Sequence, residues 1–157
     1  MGIAANGGLA PSLDVELEEL ARAYERLRGN GGREHTRAGE LGGVIRMRAQ
    51  GDPDPEPVRA QDASWTLWCG TVYDSQAGGL SDIETLDGQF VWARYDARRR
   101  ELQVANDPFG MRSLFVAERG GTLHFSTSAL ALAAHLCSRP SLFGINVFLR
   151  AGSTSAR

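Results

Sequence analysis

Apolar residues recur at three- and four-residue steps near the start of the chain: Leu13, Leu17, Leu20, Tyr24 and Leu27. That spacing puts one apolar stripe on a helix and predicts an amphipathic helix over Pro11–Arg28. Ser12 caps it, and Asp14 and Glu16 suit its positive end. The glycines of Gly29–Gly32 stop it. Gly42–Ala49 then reads as a strand. The proline-rich stretch Gly51–Val58 fits neither helix nor central strand and is expected to be a loop. From Ser64 onward the pattern shortens. Ser64–Tyr73 is apolar on both faces, as a strand buried between layers would be. Ala77–Asp82 is a loop. Gly88–Asp96 and Glu101–Asp107 flank Ala97–Arg100 as a hairpin. Ser113–Glu118 and Thr122–Thr127 flank Arg119–Gly121 as a second. Ser128–Leu136 is a short helix capped by Ser126 or Ser128, and Pro140 starts a further helical turn. Helix, many antiparallel strands, helix: the class is α+β, with sheets packed on each other and helices outside.

Composition adds mostly exclusions. The 157 residues suit one domain with a real core. A net charge of -2 gives no electrostatic case for nucleic acid or an anionic membrane. All 17 basic residues are Arg, which reflects GC-rich codon usage. Cys69 and Cys137 are far apart and unpaired in spacing, which fits a reducing cytoplasm and predicts no metal site with His35, His124 or His135. No apolar run is long enough for a membrane span, and no secretory leader is visible. Asn6 stands where myristoylation wants Ser or Thr.

The stretch "NDPFGMRSLF" (Asn106–Phe115) is the most informative. Asp107-Pro108 starts a turn, Gly110 supplies a backbone conformation that other residues resist, and Arg112 can pair with Asp107 across it. On bare physics this is a structural link between two strands. "AGGLSD" lacks the first Ser and the context of a pyrophosphate-binding loop, and carries no nucleotide site.

The segment "LDGQFVWARYDARRRELQVANDPFGMRSLFVAERGGTLHFSTSALALAAH" resembles the second half of the glutaminase domain of asparagine synthetases. Leu86, Gly88, Phe90, Tyr95, Asp96, Asp107, Phe109, Gly110, Arg112, Leu114, Phe125 and Leu132 fall on that family's pattern without a gap. "GTVYD" (Gly70–Asp74) resembles its Asn-Gly-Glu-Ile-Tyr-Asn, "SDIE" (Ser81–Glu84) its Ser-Asp-x-Glu, and "MGIAANGG" its opening Met-Cys-Gly-Ile-Ala-Gly with the Cys missing.

The resemblance implies an N-terminal-nucleophile hydrolase-like four-layer αββα sandwich with two antiparallel sheets over residues 1–136. Residues 137–157 would be a tail starting a connection to a synthetase domain. It also implies a chemistry. In the family an N-terminal Cys attacks the glutamine amide, its α-amine acts as base, and an oxyanion hole holds the intermediate. Here Gly2 stands where the Cys would be, so no catalytic residue is expected. Cys69 replaces the oxyanion-hole Asn, and a thiol donates poorly. Thr71 replaces the following Glu. Gly70, Asp82 and Arg46 (or Arg48) remain as a remnant glutamine pocket: Asp82 for the α-amine, the Arg for the carboxylate. Cys69 itself, in a buried strand, is expected to be inert.

The expectation is therefore a glutaminase-like domain that no longer cleaves glutamine, as in β-lactam synthetases and lasso-peptide cyclases. It would act as scaffold or partner of an adenylating synthetase. ATP and magnesium would belong to that missing domain, with no cofactor in this chain. The chain stops after "FLRAGSTSAR", about where the family runs on, so a truncated or split product is expected. Two alternatives stand beside it. One is a glutamine-hydrolysing asparagine synthase fragment. The other is a stand-alone amino-acid or peptide binding domain.

Overall fold

The computed structural model describes residues 1–5, 13–29, 32–48, 57–73, 83 and 86–151. In chain order these form β1 (Gly2–Ala5), α1 (Leu13–Arg28), β2 (Gly32–Arg37), β3 (Gly42–Arg48), β4 (Val58–Arg59) and β5 (Trp65–Val72). They continue with β6 (Gly88–Asp96), β7 (Glu101–Asn106), β8 (Phe115–Arg119), β9 (Thr122–Ser126), α2 (Ala129–His135) and α3 (Leu142–Ala151). The strands make two antiparallel sheets, ordered β2-β3-β1-β9-β8 and β4-β5-β6-β7. The α+β sandwich of two antiparallel sheets is thus the observed fold.

Side-chain alternation divides the core. Ile45 of β3 turns outward, where Leu13, Leu17, Leu20 and Ala21 of α1 and Leu132 of α2 cover it. Val44 and Phe125 turn inward and meet Trp65, Leu67, Ala93 and Tyr95 of the second sheet. Strand β5 reads as apolar on both faces, and β6 beside it serves two cores. Phe90 and Trp92 point away from the first sheet and form a third cluster with Leu86, against which Val72, Ile83 and Ala105 pack. Among the described residues no helix covers that outer face.

The two hairpins close where the turn residues predicted, at 97–100 and 120–121. Ser128 caps α2, its hydroxyl accepting from the Ala131 N–H at 3.3 Å, while Ser126 accepts from the Ser128 N–H at 3.1 Å. Of the two serines offered as caps, Ser128 is the cap, and Ser126 holds Ser128 in place ahead of the helix. Two strands were not anticipated: β2, and the two-residue β4 at the end of the proline-rich stretch. Ser12, residues 51–56 of that stretch and the Ala77–Asp82 loop lie outside the described residues. Among the described residues no helix is long and apolar enough to cross a membrane.

The Asn106–Phe115 turn is built on Asp107. This residue is 2% exposed, and its carboxylate accepts main-chain N–H groups of Phe109 (3.2 Å), Met111 (2.9 Å) and Arg112 (2.8 Å). Burial would raise its pKa, but these donors outweigh it and hold the carboxyl below its ordinary value. Arg112 does meet Asp107, through its backbone rather than its guanidinium. Gly110 takes the positive φ expected of it, +65°.

Candidate functional site

The head of β1 enters a small cavity between the sheets. Met1 extends the β1–β3 ladder by one residue: its amine donates to the Ile45 carbonyl at 2.9 Å, and its carbonyl accepts from the Ile45 N–H at 2.8 Å. Met1, Arg46, Leu67, Cys69, Val91 and Phe125 are among the lining residues. The cavity volume is about 50 Å³, room for one or two waters. Ligand pockets run to roughly 300–1,000 Å³.

Position 2 has no space for any side chain. A Cβ on Gly2 would overlap the edge of the Phe125 ring, with Cε2 at 2.6 Å and the Gly43 carbonyl oxygen at 2.8 Å. Sequence comparison put the missing nucleophile at Gly2. The structure instead makes Met1 the residue that heads the strand and borders the cavity, while its side chain, a thioether rather than a thiol, packs against the cluster under the helices. The backbone around position 2 fixes this, because Phe125 of β9 pairs directly opposite Gly2.

Arg46 reaches the cavity from β3 and is 4% exposed. Its guanidinium is engaged by protein groups. Nε donates to Glu34 Oε2 at 3.0 Å, and Nη1 reaches the Trp68 carbonyl at 3.5 Å. Gly70 follows Cys69 along β5, opposite Phe90. Thr71 is exposed. Asp82 lies outside the described residues. The structure therefore brings Arg46 and Cys69 to one cavity with Met1, and places Gly70 beside it. Glu34 and the Met1 amine were not singled out in the sequence. Glu34 sits in the polar strand β2, which no alternation marks, and the amine belongs to no side chain.

The amine is the most perturbed group here. Burial lowers its pKa from 8.0 to about 6, and the nearby Cys69 charge opposes that only in part. An unfolded chain then binds more protons than the folded one between pH 6 and pH 8, so stability rises with pH across that window. Two pKa units correspond to roughly 2–3 kcal/mol. That contribution is fully present above pH 8 and lost as pH falls through about 6. His124 and His135 are also lowered by burial, so their loss falls below 6.5 and leaves the upper window to the amine. Urea unfolding at constant ionic strength from pH 6.5 to 8.5 measures it, and a flat profile would mean a solvated amine.

A base beside a thiol could activate it, and Cys69 is partly buried on β5. The arrangement lacks a carbonyl site of adequate size, so what it can do as it stands is hold water against an amine and a thiol.

Comparison with known families gives a match. A family model described as a glutamine amidotransferase domain covers residues 56–134, half of the chain. The match begins ahead of β4 and runs into α2, so it includes Cys69, Gly70 and the Asp107 turn. No curated protein matches the chain.

Proposed function

The chain belongs to the glutamine amidotransferase domain family, and on that premise we propose that it has given up glutamine hydrolysis through an N-terminal thiol. In this reading it serves as scaffold or partner in an ATP-dependent amide-forming system of the lasso-peptide or lactam cyclase type. The observation that carries the reading is the cavity: about 50 Å³ at the head of β1, closed by Phe125 against Gly2. Two features agree with it. The strand is headed by Met1, which carries no thiol, and Arg46 already pairs its charge with Glu34. ATP and magnesium belong to the partner in this reading, which activates a carboxylate as an acyl-adenylate.

Purified protein incubated with glutamine should release no ammonia above a protein-free blank. Sustained release would overturn the reading. A second reading is favoured by one observation, the electrostatic coupling of the Met1 amine to Cys69. Cys69 would then be the nucleophile and the amine its base, in a glutamine-hydrolysing enzyme or a fragment of one. Release that disappears in Cys69→Ala identifies that case. Saturable glutamine or peptide binding without turnover, seen by calorimetry, would favour a binding domain instead. The partner is sought by co-purification with an adenylating protein encoded beside this chain.

A further inference from the structure

On the opposite face of the first sheet from the cavity, side chains of three separate elements converge. His124 lies in β9, next to Phe125, and alternation sends the two to opposite faces. Phe125 joins the core between the sheets, and His124 turns toward the helices, 1% exposed. Glu16 comes from the first turn of α1, and His135 from the last turn of α2. The two imidazole centroids are 5.2 Å apart with planes at 48°. Glu16 Oε2 stands 3.7 Å from His124 Nε2. One donor atom from each residue lies within 4.8 Å of the other two.

His124 is poorly served by the protein alone. Its Nδ1 is buried with no hydrogen-bond partner, and Nε2 is too far from Glu16 for a hydrogen bond. An enclosed imidazole in that state costs desolvation without compensation. A leucine would fill the space without that cost. An ion held between the three side chains would give Nε2, the ring nitrogen nearest Glu16, the partner that the protein does not supply.

We propose that Glu16, His124 and His135 bind one divalent transition-metal ion of the zinc class, with water completing the coordination. Two imidazoles and one carboxylate are a zinc-type donor set, whereas calcium and magnesium take oxygen ligands. Tetrahedral bonds of about 2.0–2.1 Å place donor atoms roughly 3.4 Å apart. Closing from 4.8 Å or less asks for a shift of about an ångström, within reach of side-chain rotation at Glu16 and His135, neither of which is buried. Burial lowers the pKa of both histidines, with His135 adding to it at His124 and Glu16 opposing it at both. Neutral imidazole is the form that ligates. An open cleft between α1 and α2, bordered by His135 and by Glu19, Arg22, Glu25 and Arg26, leads to the site.

The test uses the whole chain freed of metal by a chelator. Zinc is titrated by calorimetry, and cobalt by visible absorption. One ion per chain is expected, with the intense bands of low-coordinate cobalt. Loss of even an outer partner of a metal site weakens binding 10- to 100-fold, so Glu16→Gln and His135→Ala should each weaken it at least about tenfold. His35→Ala is the control: this exposed histidine pairs with Glu18 at 3.2 Å, away from the cluster. Glu16→Gln keeps size and helix, so it folds and reports even if His135→Ala does not. Wild-type affinity in Glu16→Gln, several weak ions per chain, or an equal loss in His35→Ala would overturn the proposal.

Discussion

Gly70→Ala is expected to unfold the domain or to cost it more than about 4 kcal/mol, a range reached only by specific disruptions. Gly70 has φ +115° on β5, a conformation that L side chains rarely adopt. An added Cβ would run into the Gln89 carbonyl oxygen, with Phe90 Cα at 3.1 Å and Gln89 C at 3.2 Å. These are backbone atoms of β6, so no rotamer change relieves the contact. Gly70 pairs with Phe90 in the middle of the β5–β6 ladder, which carries the inner and outer cores of the second sheet. Urea denaturation measures the effect, with Thr71→Ala as the exposed neighbouring control. A midpoint close to wild type would mean that β5 can part from β6 at this point. The glycine that marks the resemblance is thus required by the sheet itself. Loss of any activity in this variant would say nothing about a substrate role.

Glu34→Ala is expected to cost about 3–4 kcal/mol, because it takes a carboxylate from a guanidinium that is almost wholly enclosed. Breaking a buried pair from one side is costly, whereas replacing a buried charge by an apolar group of similar size is often nearly neutral. Arg46→Met should therefore cost less than Glu34→Ala, and the double variant should recover most of the loss. A double-mutant cycle by chemical denaturation gives all three values. A loss below 1 kcal/mol in Glu34→Ala would mean that the remaining contacts of Arg46, the Trp68 carbonyl among them, carry its charge. The cycle also bears on function. An arginine whose replacement is tolerated while its partner's is not is held for the fold, and a substrate carboxylate would have to displace Glu34 to reach it.

The parts of the fold that could be read in advance are those where burial left a period. Helix α1 shows its stripe, and β5 shows a run that is apolar on both faces. β2 shows nothing of the kind. Its six residues bury only Thr36, since it lies at an edge with its other side chains in solvent or in ion pairs. Missing β2 meant missing Glu34, and with it the partner that decides what Arg46 does. The histidine cluster was equally hidden. His124 and His135 reach Glu16 only when α1 and α2 lie side by side on β9, a tertiary arrangement that spacing along the chain does not encode. Position 2 looked like an empty catalytic place because its neighbour across the ladder, Phe125, is far away in sequence. Asp107 was legible as a turn, but its acceptor role toward three backbone donors was not.

Strand β9 imposes a rule on how this chain can vary. Phe125 closes the cavity on one face, and His124 stands in the histidine cluster on the other. Shifting the strand by one residue would exchange the two, setting an imidazole between the sheets and a phenyl ring among the helices. Substitutions in β9 are open to gradual change, while a single-residue insertion or deletion within it strikes both compartments at once. Length variation must therefore collect at its entrance, the Gly120–Gly121 turn, where an added Cβ on either glycine would meet nothing within 4 Å.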